Sequence, residues 1–207
     1  MQNTPYQIVL ASKSPRRIEL LKEIGVEFTT YSPNFDEKII DPTENPAQTP
    51  QIPQETAESL ALHNSLGKAK EASNHFKNAL VIGVDTVGES NGHILEKPTD
   101  REDAKRLLRL MSGTTHSVVS AITIINTVSG KSISKATKTL ITMEKLDEKD
   151  IEAYVQSGEG DDKAAGYAIQ GKGALFIKKI EGDYFNVVGL PIYTLKKLLK
   201  EFDVDLL

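Results

Sequence analysis

Apolar residues recur along the chain with two different periods, which predict strands and helices in alternation. Runs such as residues 8–10 and 79–84 contain no charged residue and are typical of buried strands. Residues 101–111 instead place apolar side chains at i, i+3, i+4 and i+7, the spacing of a helix with one apolar side. The alternation predicts an α/β or α+β fold in which helices flank a mixed central sheet.

The predicted elements follow one another without an internal repeat. Strands are expected at residues 8–10, 26–31, 79–84, 94–95, 116–126, 131–143, 175–180 and 184–188. Helices are expected from Pro15 to before Gly25 and at residues 55–72, 101–111, 147–155 and 191–202. A turn at 128–130 predicts that its two flanking strands are antiparallel and help to shape a second lobe.

We expect one domain over residues 1–207, with one long interruption. Residues 41–56 contain four prolines with Gln, Thr and Asn and almost no apolar side chain. Such a segment has no core of its own, so it is predicted to be an exposed, mobile loop.

The start of the first helix carries an electrostatic conflict. Ser14 is a suitable N-cap and Pro15 a suitable first residue, but Arg16 and Arg17 follow. Each cation at the positive end of a helix dipole is unfavourable by roughly 0.3–1 kcal/mol. A solvated basic turn is one interpretation. We favour the other, a phosphate bound by the first-turn N–H groups, the Ser12 and Ser14 hydroxyls and the guanidiniums. By the same argument, Arg17→Ala should slightly stabilise the protein without ligand.

Acidic residues follow two of the predicted strands. Glu37 comes after the strand 26–31, and Asp85 directly after the run 79–84. Each is either an ordinary turn or capping acid, or a carboxylate placed to bind a cation or accept a proton. Sites in open α/β sheets lie at strand ends, so we expect these acids to converge with residues 12–17 in one cleft.

Composition narrows the classes of function. With 207 residues, 39% apolar and 26% charged, the chain is typical of a soluble globular protein. A net charge of −4 gives no general attraction to nucleic acid or to an anionic membrane, so phosphate binding must depend on local positive charge. No apolar run is long enough for a membrane span and the N-terminus lacks a secretion signal, so we expect a cytoplasmic protein.

The metal-ligating residue types point to a hard cation. The chain has no cysteine, which excludes disulfides and thiolate sites, and its four histidines show no ligand spacing. The oxygen ligands of Asp85 and Glu37 suit Mg²⁺ or Mn²⁺ held jointly with substrate phosphates, and do not suit a zinc site.

Other candidates stay ambiguous on residue chemistry alone. Lys68 and Lys97 are either solvent-facing lysines or phosphate contacts. The glycine-rich run 166–173 is either a bulged turn in a sheet or a loop where a flat base approaches backbone. These residues predict an α/β protein that binds a phosphate-containing ligand, and no more.

Five sequence blocks, in this order, resemble the Maf family of nucleoside triphosphate pyrophosphatases: LASKSPRR at 10–17, VDTV at 84–87, EKP at 96–98, GYAIQGKGALF at 166–176 and GDYFNVVGLP at 182–191. The resemblance spans nearly the whole chain. It implies a metal-dependent enzyme that cleaves a nucleotide between its α- and β-phosphates, giving the monophosphate and pyrophosphate. It also implies the two-lobed fold of the inosine triphosphate pyrophosphatases, with an elongated sheet and a cleft, and a homodimer.

The variant of these blocks resembles the branch of the family that acts on dTTP and UTP. Ser-Pro-Arg-Arg, Asp-Thr-Val and Ile-Gln-Gly occur where the branch that prefers 7-methyl-GTP differs. In that pattern Arg16, Thr86 and Gln170 set the choice of base, while Ser12 and Arg17 match the phosphate loop.

The same resemblance suggests roles for the charged residues. Asp85 matches the family's proton acceptor, Glu37 its second acid, and Lys97 the lysine of Glu-Lys-Pro. Lys68 matches the lysine of Ala-x-x-Lys-Ala, a motif whose place is taken in this chain by SLGKA at 65–69. Two rivals remain, a nucleotide sensor without turnover and a phosphohydrolase that releases orthophosphate. The identity of the products distinguishes them.

Overall fold

A computed structural model describes residues 4–37 and 56–207 of the chain. Its strands are β1 (Gln7–Ala11), β2 (Thr29–Tyr31), β3 (Ala79–Ser90), β4 (His93–Leu95), β5 (Thr115–Asn126), β6 (Ser132–Met143) and β7 (Ile177–Glu181). Its α-helices are α1 (Pro15–Glu23), α2 (Ala57–Ser73), α3 (Arg101–Met111), α4 (Glu148–Gln156), α5 (Tyr184–Val188) and α6 (Ile192–Lys200). The loop expected at 41–56 lies outside the described residues, apart from Thr56.

The seven strands form one mixed sheet, which confirms the predicted fold class. The order is β2-β1-β3-β5-β6-β7, with β4 paired to β3. β1 is parallel to β2 and to β3, and every other pair is antiparallel, including the predicted pair β5 and β6. The long strand β3 lies near the middle of the sheet, between β1 and β5.

Alternate residues of β3 face opposite helices, as the two-residue period of a strand requires. Leu80, Ile82 and Val84 belong to the largest core cluster, to which α1 and α6 contribute their leucines. Val81 and Val87 face the other side, in clusters with residues of α2. A further cluster joins α3 and α4 to the ends of β5 and β6. None of the helices described is long and apolar enough to cross a bilayer.

The sequence prediction is wrong at β3, which does not end before Asp85. The strand continues to Ser90 because it pairs with β5 along ten residues, from Leu80 to Glu89. On its other edge β1 pairs with it as far as Gly83, and β4 pairs with it from Gly88 onwards. Residues 84–87 therefore lie between the ends of two ladders, and Asp85 is inside the strand.

The predicted strand at 184–188 is also wrong, because these residues form the short helix α5. The Asp183 carboxylate accepts hydrogen bonds from the backbone N–H groups of Phe185 and Asn186, which caps the helix. Gly189, with φ of 121°, ends it. The local cap decides the structure against the β-branched residues at 187 and 188.

Candidate active site

All ten residues proposed from the sequence line one cleft of about 830 Å³, a volume usual for small-molecule sites. They are Ser12, Ser14, Arg16, Arg17, Glu37, Lys68, Asp85, Thr86, Lys97 and Gln170. The expected convergence of residues 12–17, Glu37 and Asp85 is therefore what the structure has. The cleft borders residues 84–87, where the ladder with β1 has ended and that with β4 has not begun.

A buried ion pair forms one wall of the cleft. The Lys68 Nζ lies 2.6 Å from the Asp85 Oδ1, and the Asn64 amide donates to the other carboxylate oxygen at 3.3 Å. Asp85 and Lys68 are only 6% and 7% exposed. Each ion depends on the other, because removing one partner of a buried pair leaves an uncompensated charge.

Close packing of α2 on β3 makes this contact possible. A Cβ atom at Gly83 would lie 2.1 Å from the Ser65 carbonyl oxygen, so only glycine allows the helix to approach this near. Asp85 is two residues further along the same face of β3, opposite the next turn of the helix. Lys68 thus lies beside Asp85 because small residues let α2 pack closely on β3, and not only because the two charges attract.

Glu37 completes a carboxylate–ammonium–carboxylate group, with its Oε1 at 2.9 Å from the Lys68 Nζ. Its segment is held by Phe35, whose ring occupies the space where a side chain at Gly67 would stand. Burial raises the pKa of Glu37, but attraction to Lys68, and more weakly to Lys97 and Arg17, exceeds it and leaves that pKa below its ordinary value. Glu37 is therefore a carboxylate at neutral pH.

The turn before α1 is built from serines. Ser14 is the N-cap and Pro15 the first helical residue, as predicted. The Ser14 N–H donates to the Ser12 Oγ at 3.2 Å, and within the described structure the Ser14 side chain makes no capping hydrogen bond. Its hydroxyl is thus available to a ligand at the cleft wall.

Arg17 turns into the protein. Its Nε donates to the Gly189 carbonyl at 2.8 Å, its Nη1 to the Ser12 Oγ at 3.2 Å and the Val84 carbonyl at 3.1 Å, and its Nη2 to the Thr86 Oγ1 at 3.0 Å. Burial lowers the pKa of Arg17, an effect that the nearby Asp85 carboxylate opposes.

These contacts overturn the stability argument made from the sequence. Four of the five guanidinium donors of Arg17 bind protein acceptors, so the side chain joins α1, β3 and the loop after α5. Protein acceptors therefore compensate the unfavourable interaction of Arg17 with the helix dipole. For binding a phosphate, Arg17 has one remaining N–H donor and its positive charge.

Thr86 links Arg17 to the neighbouring strand β5 through hydrogen bonds. Its hydroxyl lies 2.8 Å from the Ser120 Oγ, and the Ser120 hydroxyl donates to the Asn186 carbonyl. Since Arg17 donates to Thr86 and Ser120 donates onward, the Thr86 hydrogen must point to Ser120. The Thr86 hydroxyl hydrogen is already used, although the side chain lines the cleft.

Another wall of the cleft is formed by irregular backbone. Residues 164–166 and 172–176 form 3₁₀ turns, and the interval between them carries Gln170, whose side chain is exposed. Tyr167, Ala168 and Ile169 beside it are buried. The run 166–173 pairs with no strand in the described structure, so the bulged-turn interpretation is wrong and a loop beside the cleft is correct.

Two further cations stand at the cleft wall. Arg16 is half-buried, next to the inward-turned Arg17. Lys97 is exposed on the loop after β4 and is close enough to Glu37 to lower the pKa of that carboxyl. The structure therefore concentrates positive charge around the serine turn and the two acids, as a polyphosphate requires.

The donor set fits a divalent metal that shares its ligands with a substrate. Glu37 and Asp85 both contact one ammonium group, so their oxygens lie close together beside the cleft. Residues 4–37 and 56–207 contain no group of three or more His, Cys, Asp or Glu able to hold a metal ion. One or two carboxylates with phosphate oxygens are the usual ligands of protein-bound Mg²⁺.

Known proteins are similar to this chain over nearly its whole length. The family described as "Maf-like protein" matches residues 7–202. The dTTP/UTP pyrophosphatase of Methanosarcina barkeri is 42% identical over 97% of this chain and 96% of its own length. The proteins of the same name from Dictyoglomus thermophilum and Thermoanaerobacter sp. are 39% and 42% identical over 97% of this chain, covering 98% and 100% of their own lengths.

Proposed function

The chain belongs to the Maf family, and we therefore propose that it hydrolyses dTTP and UTP to the nucleoside monophosphate and pyrophosphate. Several relatives named for that activity align with this chain over nearly their whole length. One observation of the structure carries the proposal: the ten residues line a single cleft, with the cations and acids around the serine turn and Gln170 on the loop between the two 3₁₀ turns.

In this proposal the serine turn and the cations receive the phosphates. Ser14, the N–H groups at the start of α1, Arg16, Lys97 and the remaining donor of Arg17 would bind the phosphate oxygens. Because the leaving group is pyrophosphate, these contacts stabilise negative charge as it develops on the departing oxygen. Ser12 accepts from Ser14 and Arg17, which holds the turn in shape, and its hydroxyl hydrogen would donate to a phosphate oxygen.

The acids handle the attacking water. The Lys68 ammonium lies between the Asp85 and Glu37 carboxylates and contacts both, and its attraction lowers the pKa of Glu37. One carboxylate, which we assign as Asp85, would orient the water and take its proton, and Glu37 would act as the second acid.

A divalent cation, Mg²⁺ or Mn²⁺, would be held by Asp85 and Glu37 together with the phosphates, and would supply neutralisation of phosphate charge. The exposed position of Glu37, whose side chain is 50% accessible, leaves an oxygen free to take part. The reaction is expected in the cytoplasm, where its substrates are found, and the family resemblance makes a homodimer the expected assembly.

Gln170 provides the proposed choice of base. Its amide has one donor and one acceptor, which match O4 and N3–H of uracil or thymine, whereas cytosine presents the reverse pattern. A site built for one pattern leaves buried polar groups unpaired with the other, and this gives strong discrimination. Arg16 and Thr86 complete the proposed specificity set.

A panel of nucleotides with Mg²⁺, with both phosphate products assayed, tests the proposal. We expect similar kcat/KM for dTTP and UTP, much lower values for CTP and purine nucleotides, and pyrophosphate as the first product. Release of orthophosphate would identify a different hydrolase, binding without turnover would identify a sensor, and equal rates for ATP, GTP and UTP would reject the base assignment.

A further inference from the structure

The loop that carries Gln170 is held by a carboxylate that sequence analysis did not single out. The Glu159 Oε2 accepts a hydrogen bond from the Lys172 N–H at 2.9 Å. Its Oε1 accepts from the Gly173 N–H, also at 2.9 Å. Glu159 therefore replaces, for this loop, the backbone partners that a sheet or helix would supply.

Tyr154 extends the same support to the other side of Gln170. Its hydroxyl accepts from the Ala168 N–H at 3.0 Å and donates to the Glu159 Oε1 at 3.2 Å. The tyrosine is only 3% exposed, and its ring packs edge-on against Phe176 at 5.2 Å between centroids. Three backbone N–H groups that flank Gln170 thus donate hydrogen bonds to two side chains, which are hydrogen-bonded to each other.

The glycines of the loop are explained by these side chains. At Gly171, where φ is 102°, a Cβ would lie 2.6 Å from the Glu159 Oε2. At Gly173 a Cβ would lie 2.2 Å from the Ala168 carbonyl oxygen and 3.2 Å from the Tyr154 hydroxyl. The glycines let the backbone close tightly around the carboxylate, and the carboxylate in return fixes the backbone.

The charge of Glu159 is suited to this task. Burial raises the pKa of its carboxyl, but the hydrogen bonds from Gly173, Lys172 and Tyr154 exceed that effect and leave the pKa below its ordinary value. An ionised carboxylate has acceptors on both oxygens and makes stronger hydrogen bonds to N–H groups than a neutral amide does.

We propose that Glu159, supported by Tyr154, is a positioning residue that fixes the backbone around Gln170 and thereby sets the choice of base. The inference rests on the proposed function, because it assumes that Gln170 reads the base. Glu159 lines the cleft, but both of its oxygens accept hydrogen bonds from protein donors, so we infer that it acts through the loop. Without this support, Gln170 would adopt several positions and its amide would suit uracil and cytosine alike.

Glu159→Gln is the appropriate variant, because it keeps the size of the side chain and turns one of the two acceptors into a donor that opposes a backbone N–H. We expect the KM for UTP to rise by roughly 10- to 100-fold, the scale of a group misplaced by about 1 Å, with a smaller change in kcat. The ratio of kcat/KM for UTP to that for CTP should fall by a similar factor. Inhibition by inorganic pyrophosphate should stay unchanged, because that ligand uses only the other end of the cleft.

Two companion variants separate positioning from a general structural effect. Glu152→Gln alters a glutamate of α4, the helix that carries Tyr154; Glu152 pairs with Lys105, away from the loop, so this variant should leave the UTP to CTP ratio unchanged. Tyr154→Phe removes one hydroxyl and should change the ratio in the same direction as Glu159→Gln, by less. It keeps the proposal testable if Glu159→Gln does not fold.

A double-mutant cycle with Gln170→Ala gives the decisive result. If Glu159 acts through Gln170, adding Glu159→Gln to Gln170→Ala should change the UTP to CTP ratio by less than twofold. Additive effects would show a direct contact with substrate and overturn the inference, as would an unchanged ratio in a folded Glu159→Gln variant. Wild-type enzyme that fails to convert UTP to UMP and pyrophosphate would reject the proposed function itself, which the same assay reveals first.

Discussion

The two ends of the cleft are built on different principles. At the phosphate end, the charged side chains that turn into the protein come from regular elements: Asp85 from the middle of β3, Lys68 from α2 and Arg17 from α1. The serines, Glu37 and Lys97 lie on turns and loops beside them. At the base end, Gln170 sits on irregular backbone that two side chains hold from outside. The charged side chains of the first end are held by helices and strands. The backbone of the second end is held by hydrogen bonds from its N–H groups to the side chains of Glu159 and Tyr154.

This difference matches what each end must do in the proposed reaction. Stabilising a charged transition state requires preorganised groups that do not move, which strands and helices provide. The loop that presents Gln170 brings its backbone close to the base, and glycines make that close approach possible. Mutations at the phosphate end should therefore change turnover and stability, whereas mutations at the base end should change selectivity.

Asp85→Asn tests the phosphate end most severely. It keeps the shape of the side chain but removes the proposed proton acceptor, so turnover should fall by roughly two orders of magnitude or more. Steady-state rates per folded molecule, with circular dichroism to confirm the fold, measure this. Asp36→Asn, an exposed acid beside Glu37, is the control and should be nearly neutral; near-normal turnover of Asp85→Asn would refute its role.

Arg17→Ala tests whether this end is a frame or only a charged surface. Four acceptors, two of them backbone carbonyls, would lose their donor, so we expect unliganded stability to fall by about 2–3 kcal/mol. Denaturant unfolding without nucleotide gives this value. Arg16→Ala should change unliganded stability little and weaken pyrophosphate binding. A more stable Arg17→Ala protein would restore the helix-dipole interpretation.

His116 gives the region behind the base end a dependence on pH. Its Nε2 lies 2.7 Å from the hydroxyl of Tyr167, which lines the cleft, and burial lowers the pKa of His116 to about 4. The unfolded histidine binds a proton below about pH 6.5, whereas the folded one does not until about pH 4. Stability should therefore fall as the pH is lowered through this window.

Between pH 7 and pH 5 the loss due to His116 should be about 2 kcal/mol. Urea unfolding at the two pH values, for wild type and for His116→Gln, measures it as the part of the pH dependence that the substitution removes. His93→Gln, which replaces a histidine at an exposed hairpin position, is the matched control. Identical pH dependence of wild type and His116→Gln would contradict the assignment.

Gly171→Ala has the smallest expected effect on stability and the most specific one on selectivity. A side chain at φ of 102° costs about 1–2 kcal/mol, and its Cβ would also push on the Glu159 carboxylate. Gly130→Ala is the matched control, since Gly130 also has positive φ but has no atom within 4 Å of its Cβ position in the described structure. Both should lower the melting temperature, and only Gly171→Ala should lower the UTP to CTP ratio.

Sequence patterns were sufficient where the structure is local or periodic. The cap at Ser14, the helix with Lys68 and the antiparallel pair β5 and β6 are fixed by neighbours within a few residues, and the structure has them. The family resemblance added Gln170 and the two lysines, which residue chemistry had left ambiguous. All of them line the cleft.

Patterns failed where distant contacts decide. Arg17 looked like a free cation because its partners Val84 and Gly189 are 67 and 172 residues away. Asp85 looked like the end of a strand because a charge rarely continues one, yet Lys68 and Asn64 satisfy its carboxylate from a helix. Glu159 had no distinguishing signal beyond its place among glycines.

The break in pairing along β3 also bears on how the protein avoids self-association. A stretch of strand edge such as residues 84–87 exposes backbone groups that could template a foreign strand and begin aggregation. Here β1 on one side and β4 on the other enclose the stretch, and Arg17 takes the Val84 carbonyl. The unpaired stretch of β3 admits a small ligand but is too short to pair with an incoming strand. The site can therefore lie within a sheet without creating an edge that promotes aggregation.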